Sequence, residues 1–169
     1  MIWRAGVALC ALLWLSLAHG EEWIVARVVA VTDGDTAVVE TRQKKTIRVR
    51  FCGVDAPETA NRKWPAQPYS EAAKRYMGEQ INARTVRIRL TGARTYGREV
   101  GEIFIKNRST SRALVQVGLG WWNRKYAPHD DELARLQKAA QVAHRGLWAD
   151  ADPVPPWRYR ARYRPHKAH

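Results

Sequence analysis

Two short acidic motifs in the first third of the chain carry residue types that can bind a cation. The first is Asp33-Gly34-Asp35-Thr36, and the second, Asp55-Ala56-Pro57-Glu58, follows Arg50 closely. Carboxylate and carbonyl oxygens select hard cations, calcium or magnesium, over zinc. The formal net charge of the whole chain is +13, and a surface this basic attracts phosphates. The combination favours metal-assisted attack on nucleic acid.

Each acidic motif also has an ordinary structural interpretation. Asp33-Gly34-Asp35 is typical of a β-turn, because Asp-Gly is among the commonest hairpin signals. Asp55 to Glu58 is an ordinary strand exit before a proline. Asp35, at a strand start, and Asp55, at a strand end, could converge if their strands pair. The basic charge is equally compatible with an anionic membrane surface or an acidic cell-wall polymer, and it does not separate a binder from an enzyme.

The hydrophobic pattern predicts the elements that would position these residues. Alternation of apolar and polar side chains predicts strands over 23–31, 36–40, 44–51, 85–90 and 100–105. Helical spacing predicts helices over 70–82, 109–118 and 130–144, the first with Ser70 as its N-cap. Residues 58–68 read as a loop. This order predicts an α+β fold, a five-stranded OB-fold β-barrel with about three flanking α-helices.

The ends of the chain differ from its centre. Residues 1–20 have a positive start, an apolar stretch and small residues at the end, the pattern of a secretory signal peptide; an uncleaved membrane anchor is the alternative. We therefore expect a secreted or periplasmic protein with no stable membrane partner after cleavage. Residues 21–151 form the expected domain. Residues 152–169 are rich in proline and arginine, and we expect an extended or disordered basic tail.

Cysteine usage agrees with a domain stabilised by its core. Cleavage after residue 20 removes Cys10 and leaves Cys52 alone, so we expect no intramolecular disulfide. Cys52 lies in an apolar strand pattern, which favours a small buried hydrophobic residue over a catalytic thiol.

Taken together, the motifs resemble those of the staphylococcal nuclease (thermonuclease) family from about residue 23 to residue 157. They follow one another in the family's order, which makes the match far more specific than any single motif. The matching segments are 33–36, 50–58, 68–72, Tyr96-Gly97-Arg98, 114–119, 124–126 and 145–148.

The resemblance implies a metal site and a group that activates water. Asp35 and Asp55 match the family's calcium-binding carboxylates. Ala56 matches a ligand that acts through its backbone carbonyl, so its side chain is free to vary. Glu58 matches the carboxylate proposed to activate the attacking water.

The resemblance also implies how the substrate is held. Arg50 and Arg98 match the two arginines that grip the scissile phosphate, while Tyr96 and Tyr126 match positions that line the nucleotide pocket. Tyr126 is equally compatible with a surface aromatic over a helix start. Two departures make the pocket more basic than the family pattern: Arg94 stands where an acid is common, and Arg124 replaces a second pocket tyrosine.

The function implied is that of a calcium-dependent endonuclease acting on DNA and RNA with low sequence specificity. We expect 3′-phosphate products, single-stranded or locally open substrates, and a monomer. The alternatives are a catalytically inactive nucleic-acid-binding module of the same family and a cationic envelope protein. The enzyme is favoured because the full set is present: Asp35, Arg50, Asp55, Glu58 and Arg98.

Overall fold

The computed structural model describes residues 22–163. In chain order its elements are β1 (Glu22–Asp33), β2 (Thr36–Thr41), β3 (Thr46–Phe51), β4 (Val54–Asp55), α1 (Ser70–Ile81), β5 (Thr85–Thr95), β6 (Arg98–Ile105), β7 (Arg108–Ser109), α2 (Thr110–Gln116), β8 (Trp121–Trp122), α3 (Asp131–Val142), a 3-10 helix (Gly146–Ala149) and α4 (Pro156–Arg162). The signal peptide predicted at residues 1–20 lies outside the described residues. None of the helices described between residues 22 and 163 is long and apolar enough to cross a membrane.

Five strands form the predicted barrel. Their order is β3-β2-β1-β5-β6, and a pairing between β3 and β6 closes the sheet. The closing pair is parallel, with Arg50 opposite Val100, whereas the other neighbours are antiparallel. The α+β OB-type barrel is confirmed. Between residues 22 and 163 the structure has four α-helices rather than about three, because α4 forms in the segment expected to be a tail.

The barrel interior follows from the alternation seen in the sequence. Successive side chains of a strand point to opposite faces, and in β5 alternate residues from Val86 to Leu90 are buried. The fully buried strand residues include Val28, Val39, Val49, Ile88 and Ile103. Helix α1 packs on this core with one face, through Ala73, Met77 and Ile81.

The first helix begins differently from the prediction that Ser70 is its N-cap. Tyr69 occupies the N-cap position in a left-handed conformation, with φ 66°, and its carbonyl accepts the N–H of Ala73. Ser70 is the first helical residue and is only 1% exposed. The chain turns at Tyr69, so Ser70 is already inside the helix and does not cap it.

The expectation of an extended or disordered tail is wrong for Pro156–Arg162, which form α4. Pro156 lies at the first helical position, where its missing N–H is not needed. One turn later Tyr159 is buried, and its hydroxyl donates to the carbonyl of Pro65 at 3.1 Å. The helix is therefore stabilised by packing against the loop that precedes α1, a tertiary contact that local periodicity does not reveal.

Candidate active site

The turn between β1 and β2 positions Asp35. The Asp33 carboxylate accepts the backbone N–H of Asp35 at 3.0 Å, so Asp33 acts as a turn former, as predicted. Gly34 fits because it has no side chain: a Cβ there would lie 2.7 Å from the Cβ of Ala56 and 2.8 Å from that of Ala73. The turn is thus pressed against both the second acidic motif and α1.

The structure brings the two acidic motifs together. Asp35 Oδ2 accepts the backbone N–H of Ala56 at 2.6 Å. Asp35 is 6% exposed and Asp55 is fully buried. The meeting does not arise from pairing between their strands, because β4 pairs with β8. It arises from the turn at Gly34, which leaves room for Ala56.

Arg50 connects the two aspartates. Its Nη2 donates to Asp55 Oδ1 at 2.6 Å, and its Nη1 forms an ion pair with Asp35 Oδ1. The residue belongs to β3, whose register places it opposite Thr36, next to Asp35. A charged pair this deeply buried needs its partners, because an unpaired carboxylate in the interior is costly. The guanidinium therefore lies beside both carboxylates rather than in solvent.

Glu58 lies on the loop that follows β4, at the edge of the same cleft. Its backbone N–H donates to Gln67 Oε1 at 3.1 Å, which fixes the start of the loop. Burial raises the pKa of the Glu58 carboxyl above its ordinary value, and a hydrogen bond from Arg160 partly offsets this. A carboxylate with a raised pKa accepts a proton more readily than an exposed one.

Arg98 is the first residue of β6, the strand that pairs with β3 to close the barrel. It follows the turn formed by Tyr96 and Gly97, and its Nη1 lies 3.5 Å from Thr36 Oγ1. Burial, followed by the positive charge of Arg50, lowers the pKa of Arg98. The positive charges of Arg50 and Arg98 lie near each other, and two neighbouring positive charges favour the binding of an anion.

The predicted site residues line one cleft of about 930 Å³. Its walls include Asp35, Arg50, Ala56, Glu58, Tyr96, Arg98 and Tyr126. Asp55 lies beneath this wall, fully buried and bonded to Arg50. Tyr96 and Tyr126 are 92% and 69% exposed, so both rings are accessible to a ligand at the rim.

The two departures from the family pattern have protein partners. Arg94 forms an ion pair with Glu99 at 3.0 Å, and the Arg124 guanidinium lies 4.8 Å from the centre of the Trp122 ring. Arg94 lines the cleft. The positive charge that these residues add is thus partly engaged at the rim.

Sequence reasoning missed Arg160. This residue of α4 lines the cleft, and its guanidinium contacts both Asp55 and Glu58. Burial acts to lower the pKa of Arg160, but the hydrogen bonds and negative charges of Asp55 and Glu58 together raise this pKa above its ordinary value. Pro156 is a sequence signal for the start of a short helix, but nothing in the sequence shows where that helix docks.

The donor set at the aspartates fits a hard cation. Among residues 22–163, no group of three or more histidine, cysteine or acidic side chains could hold a metal ion by side chains alone. A cation here would be held by Asp35, Asp55 and the backbone carbonyl of Ala56, with water completing its shell. Both carboxylates already face guanidinium groups, which shows that this position favours positive charge.

Comparison with known proteins agrees with this geometry. Residues 48–150 match the family model described as staphylococcal nuclease homologue. An uncharacterized endonuclease of Haemophilus influenzae is 29% identical over 143 residues, 85% of this chain and 76% of that protein. An uncharacterized endonuclease of Escherichia coli O157:H7 is 35% identical over 140 residues, 82% of this chain and 86% of that protein.

A plant relative matches as well. The probable staphylococcal-like nuclease CAN1 of rice is 31% identical over 118 residues, 69% of this chain and 33% of that protein. The fold and the cleft define a nuclease of the OB-barrel class. The chain belongs to the staphylococcal nuclease family, and it is a phosphodiester hydrolase whose substrate is nucleic acid.

Proposed function

We propose that this nuclease is a calcium-dependent endonuclease that cleaves DNA and RNA with low sequence specificity and leaves 3′-phosphate ends. One observation carries the proposal. Two buried aspartates, Asp35 and Asp55, meet Arg50 in a cleft that Glu58 and Arg98 also line. The cleft thus combines hard cation ligands, two phosphate-binding guanidinium groups and one carboxylate with a raised pKa.

Asp35, Asp55 and the carbonyl of Ala56 are the residues that would hold the calcium ion. When bound, the ion supplies positive charge that stabilises the negative charge developing on the phosphate oxygens. The hydrogen bond from the Ala56 N–H holds Asp35 Oδ2 in place beside the second motif. The two motifs that carry the ligands are therefore held together by the protein's own backbone.

Arg50 and Arg98 bind the phosphate. Arginine remains protonated in the cleft and offers parallel N–H groups that match two phosphate oxygens. As water attacks, negative charge grows on the equatorial oxygens, and the guanidinium groups stabilise this transition state more than the ground state. Arg50 is only 15% exposed, and a poorly hydrated cation interacts with the anion more strongly than a surface cation does.

Glu58 takes the proton of the attacking water. The water oxygen forms a bond to phosphorus, the bond from phosphorus to the 5′-oxygen breaks, and that oxygen takes up a proton from solvent to become the 5′-hydroxyl, which leaves the phosphate on the 3′ side. The raised pKa of the Glu58 carboxyl brings its basicity closer to that needed for proton transfer at neutral pH.

The rim of the cleft binds the substrate without selecting a sequence. Tyr96 and Tyr126 expose their rings, and an aromatic face stacks on any base. Stacking needs an unpaired base, so a single strand or a locally open duplex is the favoured substrate. The basic net charge attracts the backbone of DNA and RNA alike. We propose that one copy of the chain is sufficient for this.

Calcium removal tests the catalytic proposal. The purified protein is incubated with single-stranded DNA or RNA in excess chelator and then with calcium restored. We expect cleavage only with calcium, a 3′-phosphate on the products by mass spectrometry, and a higher calcium requirement for Asp35→Asn. Equal cleavage of either substrate in chelator and in calcium would contradict the proposal.

Export is the remaining part of the proposal. It is supported by the pattern of residues 1–20, which has a positive start, an apolar stretch and small residues before Glu21. N-terminal sequencing of the protein recovered from the periplasmic and culture fractions is expected to begin at Glu21. Recovery of an intact N-terminus in the cytoplasmic fraction would contradict it.

A further inference from the structure

Arg160 lies directly on two of the carboxylates that the proposed reaction requires. Its Nη2 donates to Asp55 Oδ2 at 2.8 Å, and its Nη1 donates to Asp55 Oδ1 at 3.2 Å and to Glu58 Oε1. Asp55 is fully buried, and the Arg160 side chain is 28% exposed. Since Arg50 already bonds to Asp55 Oδ1, both oxygens of Asp55 are engaged by guanidinium groups.

The position of Arg160 is built by the fold. Next to it in α4, Tyr159 is buried and donates to the carbonyl of Pro65. A second contact comes from Gln67, whose Nε2 donates to the carbonyl of Val154 at 2.6 Å. The Oε1 of the same Gln67 accepts the N–H of Glu58. One side chain therefore joins the segment before α4 to the loop that carries Glu58.

These contacts create a conflict with the proposed function. A calcium ligand must direct an oxygen at the ion, and a general base must have a free oxygen for water. In the structure, Asp55 directs both oxygens at arginines and Glu58 accepts from Arg160. A calcium ion bound to the same carboxylate oxygens would lie close to the guanidinium of Arg160, and two cations this close together repel each other.

We propose that Arg160 is an active-site residue whose guanidinium occupies the cation position at Asp55 and Glu58 in the metal-free protein and competes with the metal for it. This inference rests on the proposed function. Metal binding displaces the guanidinium from Asp55 and frees Glu58 for water. Helix α4 thereby stabilises the metal-free protein and lowers its affinity for metal. A metal ion that binds only when Arg160 has left Asp55 must also supply the free energy that the Arg160 contacts contribute.

Calcium titration of two matched variants tests the inference. Arg160→Gln removes the competing charge, and Arg158→Gln removes the same charge from an exposed position of the same helix. By isothermal titration calorimetry, we expect Arg160→Gln to lower the calcium Kd by about tenfold and Arg158→Gln to leave it within about twofold. Arg160→Lys, which keeps the charge but loses the fork, is expected to fall between wild type and Arg160→Gln.

Thermal unfolding provides the readout that does not depend on cleavage. In chelator, Arg160→Gln is expected to lower the Tm, because the buried Asp55 loses one partner. In saturating calcium this loss is expected to shrink, since the wild-type guanidinium is then displaced from Asp55 and no longer stabilises the wild type relative to the variant. An equal loss of Tm in both conditions, or a calcium Kd that is unchanged or higher in Arg160→Gln, would overturn the inference and leave a purely structural ion pair.

Failure of the proposed function would be recognised separately. It would be seen in the wild-type protein alone, as cleavage without calcium and no heat of calcium binding, and it would overturn this inference as well. Failure of the inference alone would be seen as normal calcium-dependent cleavage by wild type together with identical calcium affinities of Arg160→Gln and Arg158→Gln.

Discussion

Ala56 and Asp35 are joined by a hydrogen bond of 2.6 Å from the backbone N–H of one to the carboxylate of the other, across 21 positions of the chain. The bond fixes the first acidic motif to the second before any ligand is present. Preorganised groups do not have to be oriented during the reaction, which is a large part of catalytic power. Changes that separate these two residues should therefore damage the site even when the ligands are intact.

Gly34→Ala is the direct test of this separation. The added methyl group would lie 2.7 Å from the Cβ of Ala56, so we expect a loss of about 1–3 kcal/mol in the free energy of unfolding and weaker calcium binding. Gly78→Ala is the control, because a Cβ there meets nothing within 4 Å and alanine favours a helix. Urea unfolding and calcium titration measure both effects; unchanged values in Gly34→Ala would show that the close approach is unimportant.

The arginines are expected to be intolerant of lysine. Arg50→Lys and Arg98→Lys keep the charge but lose the forked N–H geometry, so kcat should fall by about two orders of magnitude or more. Arg48→Lys, at an exposed position two residues before Arg50 in the same strand, should cleave normally. Steady-state kinetics on single-stranded DNA distinguish these cases. Near-normal turnover in either of the first two variants would remove that arginine from the mechanism.

Glu58→Gln keeps the shape of the side chain and removes its basicity. We expect kcat to fall by about two orders of magnitude or more, with little change in KM, because the phosphate is bound by other groups. Calcium affinity measured by calorimetry should remain within a few fold of wild type. A variant that cleaves at the normal rate would assign the proton transfer to another group.

A third buried acid, Glu102, is expected to affect stability and not chemistry. It is 4% exposed and accepts from Arg89 at 2.7 Å and from Arg112. Glu102→Gln should lower the free energy of unfolding by about 2 kcal/mol, because two ion pairs lose their negative partner. The loss is no larger because both arginines are partly exposed, so water can still hydrate them. The more exposed ion pair between Arg94 and Glu99 offers the control. Glu99→Gln should lower the free energy of unfolding by less than about 1 kcal/mol. Equal losses in urea unfolding would contradict the assignment.

Cys52 should react slowly with alkylating reagents. Burial, followed by the negative charge of Glu102, raises the pKa of its thiol. At pH 8 a raised pKa means a smaller thiolate fraction, and the thiolate is the reactive form. We expect iodoacetamide to modify the Cys52 peptide about tenfold more slowly in the folded protein than in urea. Mass spectrometry follows the reaction, and equal rates would show an accessible, normal thiol.

The sequence predicted much of the barrel because alternation is a local signal. Val49 and Ile88 are buried where their period of two places them. The two-residue strands β4 and β8 are too short to show any period. Arg160 was missed for a different reason: its place in the cleft depends on Tyr159 docking against residues about ninety positions earlier, and no pattern within the helix records that contact.

The parallel pairing of β3 with β6 also determines when the cleft exists at all. Arg50 and Arg98 reach the same cleft only after the chain between them has folded back and the barrel has closed, a long-range step that is slow compared with local structure. Arg160 comes later still in the chain. A ribosome-bound or unfolded chain therefore has scattered acids and arginines but no assembled cleft, so nuclease activity should emerge only at the end of folding. The barrel topology thus keeps a chain that is still being synthesised from cleaving nucleic acid.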